Sequence, residues 1–229
     1  RLERALARAQ RDGHQVAVLF VDLNGFKPIN DRYGHESGDA VLKVVGQRLA
    51  GGVRDADTVG RVGGDEFVLV VPDIRHPSDC LRIAEKILQI ISQDIKLQDN
   101  IVNVSASLGI ACYPYDATSY EELLKCADLA MFAAKDAGRN RFSFFNPLMA
   151  EKTRQRVQIE KDLKAALYKT DELAMYYQPI VRIRDEELRG FEALIRWAHP
   201  TMGFIPPDRF IKVAEQSSLI NEVGDWVLQ

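Results

Sequence analysis

Thr58-Val59-Gly60-Arg61-Val62-Gly63-Gly64-Asp65-Glu66-Phe67-Val68-Leu69-Val70-Val71 is the stretch whose reading decides the fold. Two strand-forming runs, Thr58 to Val62 and Phe67 to Val71, flank a Gly-Gly pair, the pattern of a tight β-hairpin. Upstream, Val16-Ala17-Val18-Leu19-Phe20-Val21 is an unbroken apolar run that stops at Asp22. Such a run suits a central strand covered on both faces. A sheet that joins these segments brings the hairpin acids Asp65 and Glu66 towards the acid that closes the buried strand.

Outward from there, residues 1–11 carry a helical pattern with Leu2, Ala5 and Leu6 on one side. Residues 37–50 are helical, with Ser37 suited to the N-cap and Val41, Leu42, Val45 and Leu49 on one face. Leu81, Ala84, Leu88 and Ile91 mark a third helix, and Val102 to Ala111 the next strand. A fourth helix runs from about Ser119 to Ala137 and closes at Gly138; Arg141 to Phe145 is a short last strand. The order is βαββαβ with flanking helices, an α/β fold on one sheet. Because the hairpin interrupts βα alternation, the topology is palm-like or ferredoxin-like and not doubly wound. Asn146-Pro147 ends the unit, and residues 149–168 form a charged amphipathic helix with Leu163, Ala166 and Leu167 inward. Two strand-like runs follow, Leu173 to Ile183 and Leu188 to Trp197, joined at Asp185-Glu186-Glu187. From Pro207 another helix begins and is expected to stop in its middle at the chain end. The expected division is a first domain over 1–146, a linker helix over 147–170 and a fragment over 171–229.

At 229 residues the chain amounts to about one and a half ordinary domains. With 46% hydrophobic and 28% charged residues it can bury a sizeable core. The net charge of −3 is evenly spread: 18 basic and 20 acidic residues up to position 146, then 12 and 13. Neither part is a basic nucleic-acid footprint, so any nucleotide is held by local chemistry. Cys80, Cys112 and Cys126 have no metal-ligand spacing and read as free thiols of a reducing compartment, which points to the cytoplasm. No apolar stretch approaches membrane-spanning length. The chain opens on the helix-like Arg1-Leu2-Glu3-Arg4-Ala5-Leu6, which reads as a cut within a longer polypeptide whose membrane anchoring, if any, lies elsewhere.

Converging carboxylates without a neighbouring base are costly unless a cation occupies them, and hard oxygen donors favour Mg²⁺. The acids here have company. Arg61-Val62-Gly63-Gly64-Asp65-Glu66-Phe67 follows Asp22-Leu23-Asn24-Gly25-Phe26-Lys27-Pro28-Ile29-Asn30-Asp31, then Gly34-His35 and Gly38-Asp39. Lys135-Asp136-Ala137-Gly138-Arg139-Asn140 comes after. In order and separation these motifs resemble the GGDEF diguanylate cyclases, over about residues 1–145. The resemblance implies condensation of two GTP into cyclic di-GMP and two pyrophosphates, with Mg²⁺ or Mn²⁺ held by Asp22, the Leu23 carbonyl, Asp65 and Glu66. Asp65 or Glu66 is implied as the base for the 3′-hydroxyl. Gly25, Phe26, Lys27, Gly63, Gly64, Lys135 and Arg139 are implied phosphate contacts, and Asn30 and Asp39 guanine readers. A carboxylate can accept from guanine N1–H and N2–H₂ together, whereas adenine N1 is itself an acceptor, so ATP leaves polar groups unpaired. Arg54-Asp55-Ala56-Asp57 stands five residues before Gly63, matching the family's RxxD site, where Arg54 and Asp57 are implied to bind cyclic di-GMP and inhibit the enzyme. Asn24 departs from a frequent Asp at a non-ligand position. The family's first DxLTxLxNR segment is absent from this chain.

Tyr176-Tyr177-Gln178-Pro179, Glu192-Ala193-Leu194-Ile195-Arg196-Trp197 and Gly203-Phe204-Ile205-Pro206-Pro207 resemble the opening of an EAL domain, a TIM-like barrel that hydrolyses cyclic di-GMP. By that resemblance Glu192 is a metal ligand, and Gln178 and Arg196 contact the dinucleotide. A TIM-type barrel needs about 250 residues, so the fragment is an incomplete barrel, expected to lack hydrolysis by itself and to leave strand edges open. Two functions compete. One is a cyclase half-site working as a homodimer, since the product is two-fold symmetric; the other is a non-catalytic GTP-binding module that regulates an adjacent phosphodiesterase. Intact Asp22, Asp65, Glu66 and Lys135 favour the first.

Overall fold

The computed structural model describes residues 1–74, 77–97, 100–169 and 171–228. They form two compact units, Arg1–Ala150 and Glu151–Gln229. Residues 170 and 229, where the expected linker helix and second fragment end, lie outside the described residues.

In the first unit β1 (Gln15–Asn24) is the middle of a five-stranded sheet. It pairs antiparallel with β3 (Glu66–Ile74) on one side and β6 (Ser105–Tyr113) on the other. Beyond β3 lies β2 (Thr58–Gly63), and beyond β6 lies the parallel β7 (Arg141–Phe144), giving the order β2-β3-β1-β6-β7. The unbroken apolar run now has its reason. Ala17, Leu19, Val21 and Leu23 point into one core with α3 (His35–Gly52) and α4 (Pro77–Ile91). Val16 and Val18 point into a second core with α1 (Leu2–Asp12) and α5 (Tyr120–Asp136). Burying a large apolar side chain contributes roughly 1.5–3 kcal/mol, so a strand covered on both faces gains from apolar residues at every position and shows no alternation.

Helix α5 lies directly on β6 because position 109 is glycine: a Cβ there would stand 1.9 Å from the Ala127 carbonyl oxygen and 2.1 Å from the Met131 nitrogen. Ser119 caps α5, its hydroxyl accepting from the Glu122 N–H at 3.2 Å. Elsewhere the structure departs from expectation. The hairpin turn is Gly64-Asp65, not Gly63-Gly64; Gly63 is still paired, opposite Glu66, and only Gly64 takes a left-handed φ of 45°. Ser37 does not cap α3, which begins at His35; its hydroxyl donates to the Tyr33 carbonyl at 2.9 Å. An extra helix, α2 (Phe26–Tyr33), precedes α3, and its two buried side chains, Phe26 and Ile29, are too few for a readable period. The strand expected at Val102 starts at Ser105, because residues up to Val102 form a small hairpin of β4 (Ile95–Leu97) and β5 (Asn100–Val102). Cys80 and Cys112 share a hydrogen bond between α4 and β6, which lowers the Cys80 thiol and raises that of Cys112.

The second unit is built on α6 (Pro147–Ala166), whose Ile159, Leu163 and Ala166 are buried. A three-stranded sheet follows, β8 (Leu173–Val181), β9 (Leu188–His199) and β10 (Gly203–Ile205), then α7 (Pro207–Gln216) and α8 (Ile220–Val227). Trp197 is fully buried and meets Phe210 edge-on, with ring centroids 5.5 Å apart. Both strand pairs are antiparallel, whereas barrel strands of the TIM type run parallel, and there is no closed barrel among the described residues. The helix from Pro207 is complete, not cut short; Ser218, at a φ of 64°, turns the chain into α8.

Candidate active site at the hairpin tip

Asp22, near the end of β1, stands directly opposite Glu66, the first residue of β3. Cross-strand partners have Cβ atoms about 4.5–5.5 Å apart, so the two carboxylates share one small volume. Asp65, in the turn, is tied in by its backbone: its carbonyl accepts from the Leu23 N–H at 3.3 Å. Asn24 fastens the end of β1, donating to Ser105 Oγ and accepting from Ser107 Oγ, both at 3.2 Å. An Asp at position 24 could only accept, so both serine hydroxyls would have to donate to it, whereas the amide donates to one and accepts from the other.

The charge of this corner is negative and partly desolvated. Burial raises the Asp22 carboxyl above the ordinary carboxylate range, Lys135 opposes the shift, and Asp65 and Asp128 add to it. Burial likewise raises Glu66, followed by the repulsion of Asp22 and Asp128. Lys135, expected on phosphate, is found on Asp22, with Nζ 2.6 Å from Oδ2. Its ammonium is the positive charge that opposes both shifts.

Asp128 is the residue that sequence reading missed. It lies on α5, seven positions before Lys135, which is two helical turns along the same face. Although the residue keeps an exposed surface, partial burial raises its carboxyl and Lys135 opposes that shift. That spacing from Lys135 was the available signal.

The other expected residues are placed as follows. Gly25, with φ 83°, precedes the first turn of α2, where Phe26 is buried and Lys27 exposed. The backbone N–H groups of that turn have no side-chain cap, as an anion site at a helix start requires. Gly63 and Gly64 have open space where a Cβ would stand. Arg139 follows α5 with φ 58° and is exposed. Asn30 on α2 is half-buried, and Asp39 on α3 is exposed. Arg54 and Asp57 occupy the turn before β2. There Asp57 Oδ2 accepts from the Arg54 N–H at 2.9 Å, and its side chain is only 3% exposed, while that of Arg54 is 63% exposed. Asp57 is thus committed to the turn, and Arg54 is the half of the motif that reaches solvent.

In the second unit Gln178 and Glu192 are direct cross-strand partners. Arg196 lies on the same face of β9, its guanidinium 5.7 Å from the centre of the Tyr176 ring. That face is opposite to the one carrying Trp197 and is open to solvent, with Tyr176 57% exposed.

The family profile described as "Diguanylate cyclase, GGDEF domain" matches residues 1–141. The chain belongs to the GGDEF family. The EAL domain profile matches residues 160–229, so a GGDEF domain is followed by part of an EAL domain. The bifunctional diguanylate cyclase/cyclic di-GMP phosphodiesterase MucR of Pseudomonas aeruginosa is 45% identical over 228 residues, covering 100% of this chain and 33% of that protein. The cyclic di-GMP phosphodiesterase NbdA of the same organism is 41% identical, covering 95% of this chain and 28% of its own length. The chain therefore spans about a third of these relatives. The crystal structure of the GGDEF domain of PA1120 from Pseudomonas aeruginosa matches with a TM-score of 0.62 at 41% identity, covering 64% of this chain and 91% of that one.

A divalent cation fits the donors present. Asp22 and Glu66 offer hard oxygens whose shared negative charge a cation would neutralise, and Asp65 stands beside them. Among the described residues no three metal-ligating side chains are already gathered as a cage. Mg²⁺ commonly binds through one or two carboxylates plus substrate phosphates, so a preformed cage is not required. No described helix is long and apolar enough to cross a membrane.

Proposed function

We propose that the first unit is one half of a diguanylate cyclase, holding one GTP and acting opposite a second copy. The observation that carries this reading is the Asp22–Glu66 pair, two carboxylates in register at the end of a doubly buried strand, with Lys135 against them. Asp22, the Leu23 carbonyl, Asp65 and Glu66 would hold Mg²⁺ or Mn²⁺, which when bound neutralises the triphosphate and acidifies the attacking hydroxyl. The uncapped first turn of α2, with Gly25, Phe26 and Lys27, receives the outer phosphates, joined by Arg139 and by Lys135 as it leaves Asp22. Asn30 and Asp39 read guanine.

Each 3′-oxygen attacks the α-phosphorus of the other nucleotide. A P–O bond forms, the bond to the β-phosphate breaks, and pyrophosphate leaves. The hydroxyl proton passes to Asp65 or Glu66; the raised Glu66 carboxyl is closer to the value that suits a base at neutral pH. Arg54 and Asp57 form the product-inhibition site, and the use of GTP places the domain in the cytoplasm. The EAL part, with Gln178, Glu192 and Arg196 on an open face, does not hydrolyse cyclic di-GMP by itself.

A second reading, a GTP-binding module that regulates the EAL domain without catalysis, draws on the Lys135–Asp22 ion pair, which already engages a metal carboxylate. Incubation of the full-length protein with GTP and Mg²⁺ separates the two. The cyclase releases two pyrophosphates for each cyclic di-GMP formed. GTP binding without pyrophosphate, in a sample shown to be dimeric, supports the module and sinks the cyclase.

A further inference from the structure

Two observations meet between α2 and α3. The Oδ1 atom of Asn30 is buried and has no hydrogen-bond partner. It lies 1.9 Å from where a Cβ on Gly38 would stand, with Asn30 Cγ at 2.9 Å and Phe26 Cζ at 3.2 Å from the same point. Gly38 is itself buried, inside α3, and does not adopt the left-handed φ that would call for glycine. Alanine is the better helix former. The missing side chain is therefore accounted for by what fills its place, the amide of Asn30.

We infer that Gly38 is a positioning residue for purine choice: its bare α-carbon is a socket that seats Asn30 Oδ1 and turns the Nδ2 donor outward. This rests on the reading of Asn30 and Asp39 as the base-binding pair. With Oδ1 seated, Asn30 can only donate to a ligand, and Asp39, which follows Gly38, can only accept. Guanine offers the complement, the O6 acceptor beside the N1–H and N2–H₂ donors. Adenine presents an amino donor in place of O6 and an acceptor at N1, a mismatch with both groups. A free asparagine would rotate its amide and accept from adenine, so seating the oxygen is what makes Asn30 selective. Holding a carbonyl buried and unpaired is unfavourable, and the Phe26 ring and the α2–α3 packing keep it there.

The test is equilibrium binding of fluorescent 3′-blocked GTP and ATP analogues to the full-length protein with Mg²⁺, for the unaltered chain, Gly38→Ala, Asn30→Ala and the double variant. Gly38→Ala is expected to lower the GTP-over-ATP ratio about tenfold, the loss of one well-placed hydrogen bond. Asn30→Ala should do the same, and the double variant should be no worse than Asn30→Ala, because the socket then has nothing to seat. The double variant should melt no lower than Asn30→Ala, which separates positioning from general damage. An unchanged ratio in Gly38→Ala, additive losses, or a lower-melting double variant overturns the inference while leaving the GTP reading intact. No guanine preference in the unaltered protein overturns both.

Discussion

Strands β1 and β9 carry comparable polar groups in opposite surroundings. β1 is buried on both faces, and Asp22 near its end is 8% exposed, opposite Glu66 and beside Lys135. β9 is buried on one face only; Trp197 sits in the core while Glu192 and Arg196 stand on the open side with Gln178 opposite. Burial is what changes the chemistry. It desolvates Asp22 and Glu66, raises both carboxyls and makes a cation welcome, whereas an exposed carboxylate is already satisfied by water. A motif becomes a site only when the rest of the fold covers it.

The largest test of this contrast is Glu66→Gln, expected to lower cyclic di-GMP synthesis about a thousandfold, as the loss of a metal and base group does. The same change should stabilise the fold. A carboxyl raised in the folded state binds more protons there than in the unfolded chain over the window between its ordinary and raised values. Stability therefore falls as pH rises through that window and stays lower above it. The melting temperature of Glu66→Gln should exceed that of the unaltered protein at pH 7, with the gap closing towards pH 4. A lower melting temperature at pH 7 breaks the argument.

On the two faces of β9, Trp197→Ala should destabilise the second unit by about 3–5 kcal/mol, whereas Glu192→Ala should stay within about 0.5 kcal/mol. Denaturant melts measure both, and equal costs mean that the Glu192 face is covered after all. Lys135→Met should weaken GTP binding about tenfold, by removal of one charge-assisted contact. It should also lower the melting temperature, because Asp22 loses its ion-pair partner; titration with a non-reactive GTP analogue and a thermal melt report the two effects. The smallest effect separates Arg54 from Asp57. Arg54→Ala should relieve inhibition by added cyclic di-GMP with stability unchanged, while Asp57→Ala should also cost about 1 kcal/mol, since it removes the acceptor of the Arg54 N–H. Equal stability of the two variants would show that Asp57 has no structural duty.

Much of the candidate site was legible in the chain itself. The apolar run before Asp22 announced a doubly covered strand, and Gly-Gly between β-branched runs announced the hairpin. Lys135 stood out in the sequence as a candidate cation but without its partner, because an ion pair 113 positions apart in the chain exists only once α5 lies across β6. Asp128 was overlooked for the same reason. The turn position was misread by one residue, since a Gly-Gly pair permits either placement and the Gly63–Glu66 pairing selects one. Helix α2 escaped notice because eight residues with two buried side chains carry too little period.

The amino-acid order by itself determined the main strands and helices of the first unit, the hairpin acids and the resemblance to two families, because local propensity, turn chemistry and motif spacing are properties of neighbouring residues. The tertiary structure alone decided that Asp22 faces Glu66, that Lys135 neutralises Asp22, that Asp57 serves its own turn and that Gly38 seats Asn30. Each depends on groups distant in the chain, or on space left unfilled between elements, and neither distance nor emptiness is written in a one-dimensional string.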